Sequence, residues 1–224
     1  MLPPRFSTSS YQADGFTFEH HRQPAFAVLP QTFLMHSISV MLDGPSKVEI
    51  NYGERLTRQR LTRGDVTIVP YRFSIEAAHV EACEFLQLWL KPSVIDRAAK
   101  ELGFDRGVDL APVFGVVDPL AEQTIYQLEE ELTTDVRGSD YVNVLVDTLA
   151  KHLVRHYAEG AWTSNAVGGF PKYLLDRILQ YIDDNRHRDP SPAEIASAVG
   201  VEPDRFSRAF KAATGKDIHH YLKK

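Results

Sequence analysis

Asp204, Arg205, Ser207, Arg208 and Lys211 are interleaved with Phe206 and Phe210, which stand at i and i+4. On a helix the two rings share one face, and Asp204, Ser207, Arg208 and Lys211 occupy the opposite one with Arg205 alongside. An arginine so placed reaches guanine edges bidentately, serine and aspartate near a helix start make short polar contacts, and lysine or a flanking arginine holds phosphates. These residue types therefore suit recognition of nucleic acid. A helical protein-interaction module would present the same amphipathic pattern.

Two short helices must hold this face in place. Ser191, Pro192 and Glu194 form a complete start signal: a cap, a first-turn proline and a carboxylate that bonds back to the cap. The spacing predicts a helix from about Pro192 to Val199, closed by Gly200, where positive φ is cheap. Glu202-Pro203 opens a second helix, Pro203 to Thr214, ended by Gly215. Small Ala196 lies four residues before the turn glycine, the spacing at which two helices cross closely in a helix-turn-helix. A preceding helix, Pro171 to Asp184, carries Leu174, Ile178 and Ile182 on one row and Leu175 and Tyr181 on the next.

Upstream, the period changes from helical to alternating. Candidate strands are Phe26 to Leu29, Met35 to Leu42, Lys47 to Asn51, Arg55 to Leu61, Val66 to Val69 and Val80 to Leu90, separated by turn signals such as Arg63-Gly64-Asp65. After Pro92, Ile95, Ala98, Ala99 and Leu102 form a short helical face. The apolar segment Leu110 to Val117 reads as a loop. Two longer helices follow: Leu120 to Leu132, with Glu129, Glu130 and Glu131 on a solvated face, and Tyr141 to Tyr157, with Val142, Leu145, Val146, Leu149, Leu153 and Val154 in a stripe. That stripe must cover the sheet, a second copy of the chain, or both. Ala158 to Gly169 is small, polar and glycine-terminated, and reads as a domain boundary with Trp162 as its anchor.

The run from Arg177 to Leu222 resembles the first helix-turn-helix of the AraC/XylS family of bacterial transcription regulators. The matching residues are Tyr181-Ile182, Ile195-Ala196, Gly200, Phe206, Arg208, Phe210-Lys211, Thr214-Gly215 and Tyr221. By this resemblance Asp204, Ser207 and Arg208 approach base edges, while Arg205 and Lys211 fall near the backbone. Gly168 to Phe170 looks like the linker before this module. The amino-terminal region is similar to the family's cupin-like sensor, with Gly64-Asp65 and Ile68-Val69-Pro70 as its turn and strand. The helices from 120 to 157 resemble its dimerising pair.

The resemblance implies an α+β chain: an antiparallel cupin-like β-barrel with following antiparallel helices at 1–160, a linker at 161–170 and a small all-α helix-turn-helix subdomain at 171–224. The partners it implies are DNA, a small organic effector, a second copy of the chain and RNA polymerase. Family members usually carry two helix-turn-helix subdomains, whereas this sequence reaches Lys224 where the joining helix should begin. A truncated form or a natural short relative is expected. One subdomain makes few phosphate contacts, so its DNA binding should be weak and salt-dependent unless dimerisation supplies a second site.

A barrel interior can hold a metal or an organic ligand. Metal needs several ligands converging on one ion, and adjacent His20 and His21 point to opposite faces of a strand. His36, His79 and Glu49 are the remaining candidates for a metalloenzyme, but the strand after Gly64-Asp65 lacks the histidine such a site wants. No metal or other cofactor is expected. An effector pocket is the alternative, with His36, Tyr52, Arg58, Tyr71, Arg72 and Trp89 as candidate lining, together with Phe73 and Gln87. Phosphate-binding loops, dinucleotide fingerprints and nucleophile elbows are absent from the sequence, and a non-enzymatic protein is expected.

Charge bears on the same question. The 224 residues carry 25 Lys and Arg against 30 Asp and Glu, a formal net charge of -5, which taken whole discourages a nucleic-acid partner. The acidity is uneven. Residues 1–169 hold 15 basic against 22 acidic side chains, and residues 170–224 hold 10 against 8. Cys83 is the single cysteine, so no internal disulfide can form. Neither a signal-peptide core nor a spanning apolar run is present, and a cytoplasmic protein without a membrane partner is expected.

Overall fold

The structure is a computed structural model that describes residues 7–134, 138–158 and 169–223. The alternating region forms two antiparallel sheets. Strands β1 (Ser7–Ala13), β2 (Phe16–Gln23), β4 (His36–Met41), β7 (Val66–Val69), β9 (Cys83–Leu90) and β10 (Val113–Val116) make a six-stranded sheet in the order β1-β2-β9-β4-β7-β10. The second sheet has the order β3-β8-β5-β6, from β3 (Phe26–Thr32), β5 (Ser46–Tyr52), β6 (Arg55–Leu61) and β8 (Ser74–His79). Among the described residues no strand of one sheet pairs with a strand of the other, so two facing open sheets stand in place of the expected closed barrel. Side chains join them: Phe33, Met41, Val48, Ile50, Phe85 and Phe114 form a buried cluster between the sheets.

The larger sheet is buried on both faces, which is why β9 reads as an almost unbroken apolar run. Leu86, Leu88 and Leu90 point one way into the helices, while Cys83 and Phe85 point the other way toward the second sheet. The helices on the first face are α1 (Pro92–Glu101), α2 (Pro119–Thr134) and α3 (Gly138–Tyr157). Val142, Val146, Leu149, Leu153 and Val154 of α3 are buried in this protomer's own core, with Leu145 packed against it. The α3 stripe is therefore buried within the chain's own core, where α3 packs against α1 and α2. Of the three glutamates expected to be solvated, Glu131 is buried and Glu129 pairs with His20 at 2.8 Å. Docking the helix on the sheet turns those two inward and leaves Glu130 exposed.

Four strands escape the sequence reading for identifiable reasons. β1 is mostly polar, and its pairing with β2 holds it at the sheet edge. In β2 only Phe16 and Phe18 announce the alternation before charged residues follow. β8 carries small Ala77 beside Ile75 at its buried positions, too little bulk to register as a strand. The fourth, β10, is only four residues long, is buried throughout and contains Gly115 at φ 65°.

The carboxyl-terminal unit follows the expected plan closely. It comprises α4 (Lys172–Asp184), α5 (Pro192–Ala198), α6 (Pro203–Thr214) and α7 (Ile218–Leu222). Ser191 and Glu194 make the reciprocal capping box. Gly200 sits at φ 72° and Gly215 at φ 70°, where a residue with a Cβ would be strained. Ala196, Phe206, Phe210 and Ile218 are fully buried in one cluster with Ile178, Ile195 and Phe170. Residues 161–168 of the expected linker, Trp162 among them, lie outside the described residues.

Candidate nucleic-acid interface and interior cavity

Helix α6 is built to present a polar face. Its start is capped by Glu202, whose carboxylate accepts from the backbone N–H of Asp204 and Arg205 at 3.0 and 2.9 Å. Those two bonds hold the Glu202 carboxyl below the usual range, as expected for an anion at a helix N-terminus. With Phe206 and Phe210 locked in the core, Asp204, Arg208 and Lys211 are exposed and Ser207 is half-buried. Ser207 Oγ donates to the Pro203 carbonyl at 3.0 Å.

Arg205 behaves differently from its neighbours on the same turn. It is 9% exposed and inserts between turn 62–65 and α2. Its Nε donates to Asp65 Oδ1 at 3.3 Å, one terminal nitrogen donates to Glu122 Oε2 at 2.6 Å, and the other donates to the Gly64 carbonyl. A methyl group on Gly64 would collide with the side chains of Arg205 and Glu122. Burial pushes the Asp65 carboxyl up, against hydrogen bonds from Thr62 and the Arg205 charge, which pull it down. Arg208 reaches the same turn, donating to Thr62 Oγ1 at 3.1 Å.

A second contact between the two parts centres on Asp118. This fully buried carboxylate caps α2 through the N–H of Leu120 and Ala121 and lies 2.7 Å from His152 Nε2. It also accepts from Tyr157 Oη at 2.6 Å and from Tyr173 Oη of α4 at 2.9 Å. Burial alone would raise the Asp118 carboxyl, but its bonds to His152, Tyr157 and the Ala121 N–H outweigh it and bring the group below its ordinary range. The Tyr173 ring lies 4.1 Å from that of His156, whose imidazole burial and the His152 and Arg155 charges push down to about 4. Next to Asp118, Val117 packs into the core of the helical unit and donates its N–H to the Gly169 carbonyl at 2.8 Å.

Between the two sheets lies a cavity of about 110 Å³. Its walls include Phe26, Phe33, Phe85, Phe114 and His79, with Ser37, Ser39, Thr67 and Gln87 as polar points. Gln87 donates to Ser37 Oγ at 2.7 Å. His79 stacks on Phe26 at 4.6 Å, and burial pushes its imidazole down to about 4, so it lines the cavity as a neutral ring at pH 7. A smaller recess of about 80 Å³ shares Phe33, Phe85 and Gln87 and continues toward His21, Gln31 and Trp89.

The predicted effector residues are not brought together. His36 is buried on the helix-facing side of β4, and its Nδ1 accepts from the Tyr71 N–H at 3.2 Å. Burial pushes His36 down to about 4. Tyr52 packs behind the cavity wall, 5.2 Å from the Phe114 ring and 5.8 Å from that of Phe73. Arg58 is exposed and donates to Glu49 at 2.7 Å. Tyr71 and Arg72 stack on each other at a turn where Arg72 has φ 62°. Trp89 lines the smaller recess and donates to Glu19 at 2.8 Å.

Of the candidates named from sequence, Gln87 and His79 border the cavity. Ser37, Ser39, Thr67 and Phe85 line it as well, without a motif that names them. The alternation held a signal for them: once Ile38, Val40 and Leu86 are assigned to the helix face, the intervening residues must face the other sheet. The metal candidates are also separated, with His36 facing the helices, His79 the cavity, and Glu49 paired to Arg58. Among the described residues, no group of three His, Cys, Asp or Glu side chains is placed to hold a metal ion.

No family model matches the chain, and no curated protein matches it. Among solved structures it is similar to the AraC-like transcriptional activator CuxR, at 15% identity over 100% of this chain and 82% of that one, with a TM-score of 0.48. It is also similar to a cupin superfamily protein from Desulfitobacterium hafniense, at 17% identity over 41% of this chain and 81% of that one, TM-score 0.34. A cupin domain from Bordetella pertussis is similar at 15% identity over 41% of this chain and 97% of that one, TM-score 0.34.

Proposed function

We propose that the chain is an effector-responsive DNA-binding regulator, with α6 as the helix that reads base edges and the cavity between the sheets as the effector site. The observation that carries this reading is the α5–α6 pair: fully buried Ala196 lets the helices cross, Gly200 turns the chain at φ 72°, and Arg208, Asp204 and Lys211 stand outward. A helix-turn-helix places the amino-terminal part of its second helix in the major groove, and that is where Asp204, Ser207 and Arg208 lie.

The cavity supports a particular effector class. No formally charged side chain lines it, and His79 is neutral. Burying an unpaired charge there would be prohibitive. A volume of about 110 Å³ is of the order of an engineered apolar cavity of about 150 Å³ that admits benzene, so a small uncharged aromatic or branched molecule fits.

Selection from a randomised duplex library, at low and then physiological salt, tests the DNA reading. Recovery of one enriched sequence is expected. Arg208→Ala should then weaken binding to it by about 1–3 kcal/mol and relax preference at one position. Lys211→Ala should weaken all duplexes alike and reduce the salt dependence by about one ion. Equal losses for Arg208→Ala on selected and scrambled duplexes would remove Arg208 as a base reader.

A further inference from the structure

The helix proposed to read DNA is held against the sensor by its own arginines. Arg205 places three donors on Asp65, Glu122 and the Gly64 carbonyl, and Arg208 bonds Thr62 at 3.1 Å. An arginine at hydrogen-bonding distance from the sensor turn leaves no room for a base pair between them. We infer that turn 62–65 and Glu122 form a clasp that holds α6 in a DNA-incompetent arrangement, and that α6 must leave this clasp before Arg208 can enter a major groove. The inference rests on the DNA-binding reading above and adds its regulation.

The chemistry of the clasp makes it reversible. Guanidinium–carboxylate pairs are strong, directional contacts, but a buried pair has also lost the hydration of both charges, so its net contribution is modest. On opening, Asp65 and Glu122 regain water while Arg205 becomes available to DNA phosphate, another anion with the same preference for its fork. Closed and DNA-bound states thus compete for one side chain.

The clasp is also connected to the cavity. Turn 62–65 joins Leu61 to the strand that carries Thr67, and both of those residues line the cavity. On the other side, Phe114 of β10 lines the same cavity and lies three residues before Val117, which packs in the helical unit's core. A molecule that displaces Leu61 or Thr67 therefore acts on the segment that grips Arg205. It opens the clasp only to the extent that it prefers the open arrangement.

The test uses the full chain. Glu122→Lys puts a repelling charge against Arg205 from an α2 position that is 13% exposed at its side chain. Asp65→Asn weakens the same pair without adding bulk. Circular dichroism establishes that each variant is folded. Nitroxides at Arg55→Cys and Lys216→Cys, both exposed positions, report the separation of sensor and helical unit, since native Cys83 is buried.

Longer nitroxide distances and about tenfold tighter binding of the selected duplex are expected, a size typical of coupling between sites. Unchanged distances in both folded variants would overturn the clasp. Longer distances with unchanged or weaker binding, while the wild type binds, would overturn gating but leave the DNA reading intact. If neither wild type nor variants select any duplex at low salt, the DNA reading itself falls and gating falls with it.

Discussion

His36 and His79 illustrate how one residue type acquires different roles from its surroundings. Both are pushed down to about 4 by burial, yet one accepts a backbone hydrogen bond under the helices and the other forms part of an apolar cavity wall. Their depressed values, like that of His156, contribute to the pH response, and the raised Asp65 carboxyl opposes them. Between about pH 6.5 and 4 the unfolded chain binds protons that the folded chain refuses, so stability rises with pH across that window and is complete above it. For His79 the shift corresponds to a contribution of about 3 kcal/mol, lost as pH falls from 6.5 to 4. Urea midpoints measured across this range should therefore drop on acidification, and His79→Phe, which keeps the ring stack on Phe26, should flatten part of the slope. An unchanged slope would show that His79 titrates freely. Neither role is legible from residue type, because a lone histidine in an alternating strand carries no mark of which face is wet.

Elements were legible to the degree that their signals are local. Helix α5 announced itself through Ser191, Pro192 and Glu194, and the structure contains the full capping box. Ser191→Ala should cost about 1 kcal/mol, read as a shift in the denaturant midpoint without a change in m-value. Phe206→Ala, by contrast, removes a fully buried ring and should cost about 3–5 kcal/mol, enough to unfold the helical unit. Strand β10 shows the opposite case. Its four residues are buried whether they form a loop or a strand, and only pairing with β7 decides between them. The edge strand β1 likewise depends on β2 for its definition. The α3 stripe was legible as a stripe, but its partner was not: an apolar helix face has the same pattern over its own sheet as over another protomer.

At the scale of the whole molecule, two sets of contacts tie the amino-terminal sheets and helices to the carboxyl-terminal helical unit. One is a joint, formed by Asp118, His152, Tyr157 and Tyr173 with Val117 beside it. The other is the Arg205 clasp. Tyr173→Phe removes one donor to a fully buried carboxylate and should cost about 1–3 kcal/mol. Because that bond crosses between units, the loss should appear as separation of one melting transition into two, followed by calorimetry. A single transition at unchanged temperature would place the cohesion elsewhere.

What the sequence by itself determined was set by near neighbours: strand alternation, the helix caps, the Ala196–Gly200 spacing and the placement of Phe206 and Phe210 opposite Arg208. These follow from backbone geometry repeated every two or 3.6 residues, so each can be read within a short window. The tertiary structure alone decided which of five polar residues on or beside one helix face is free. Arg205 meets Asp65 across 140 residues and Arg208 meets Thr62 across 146, and no local pattern encodes such a meeting. It depends on how two separately legible units dock, through burial and pairing of charges that in the sequence look equally ready for DNA.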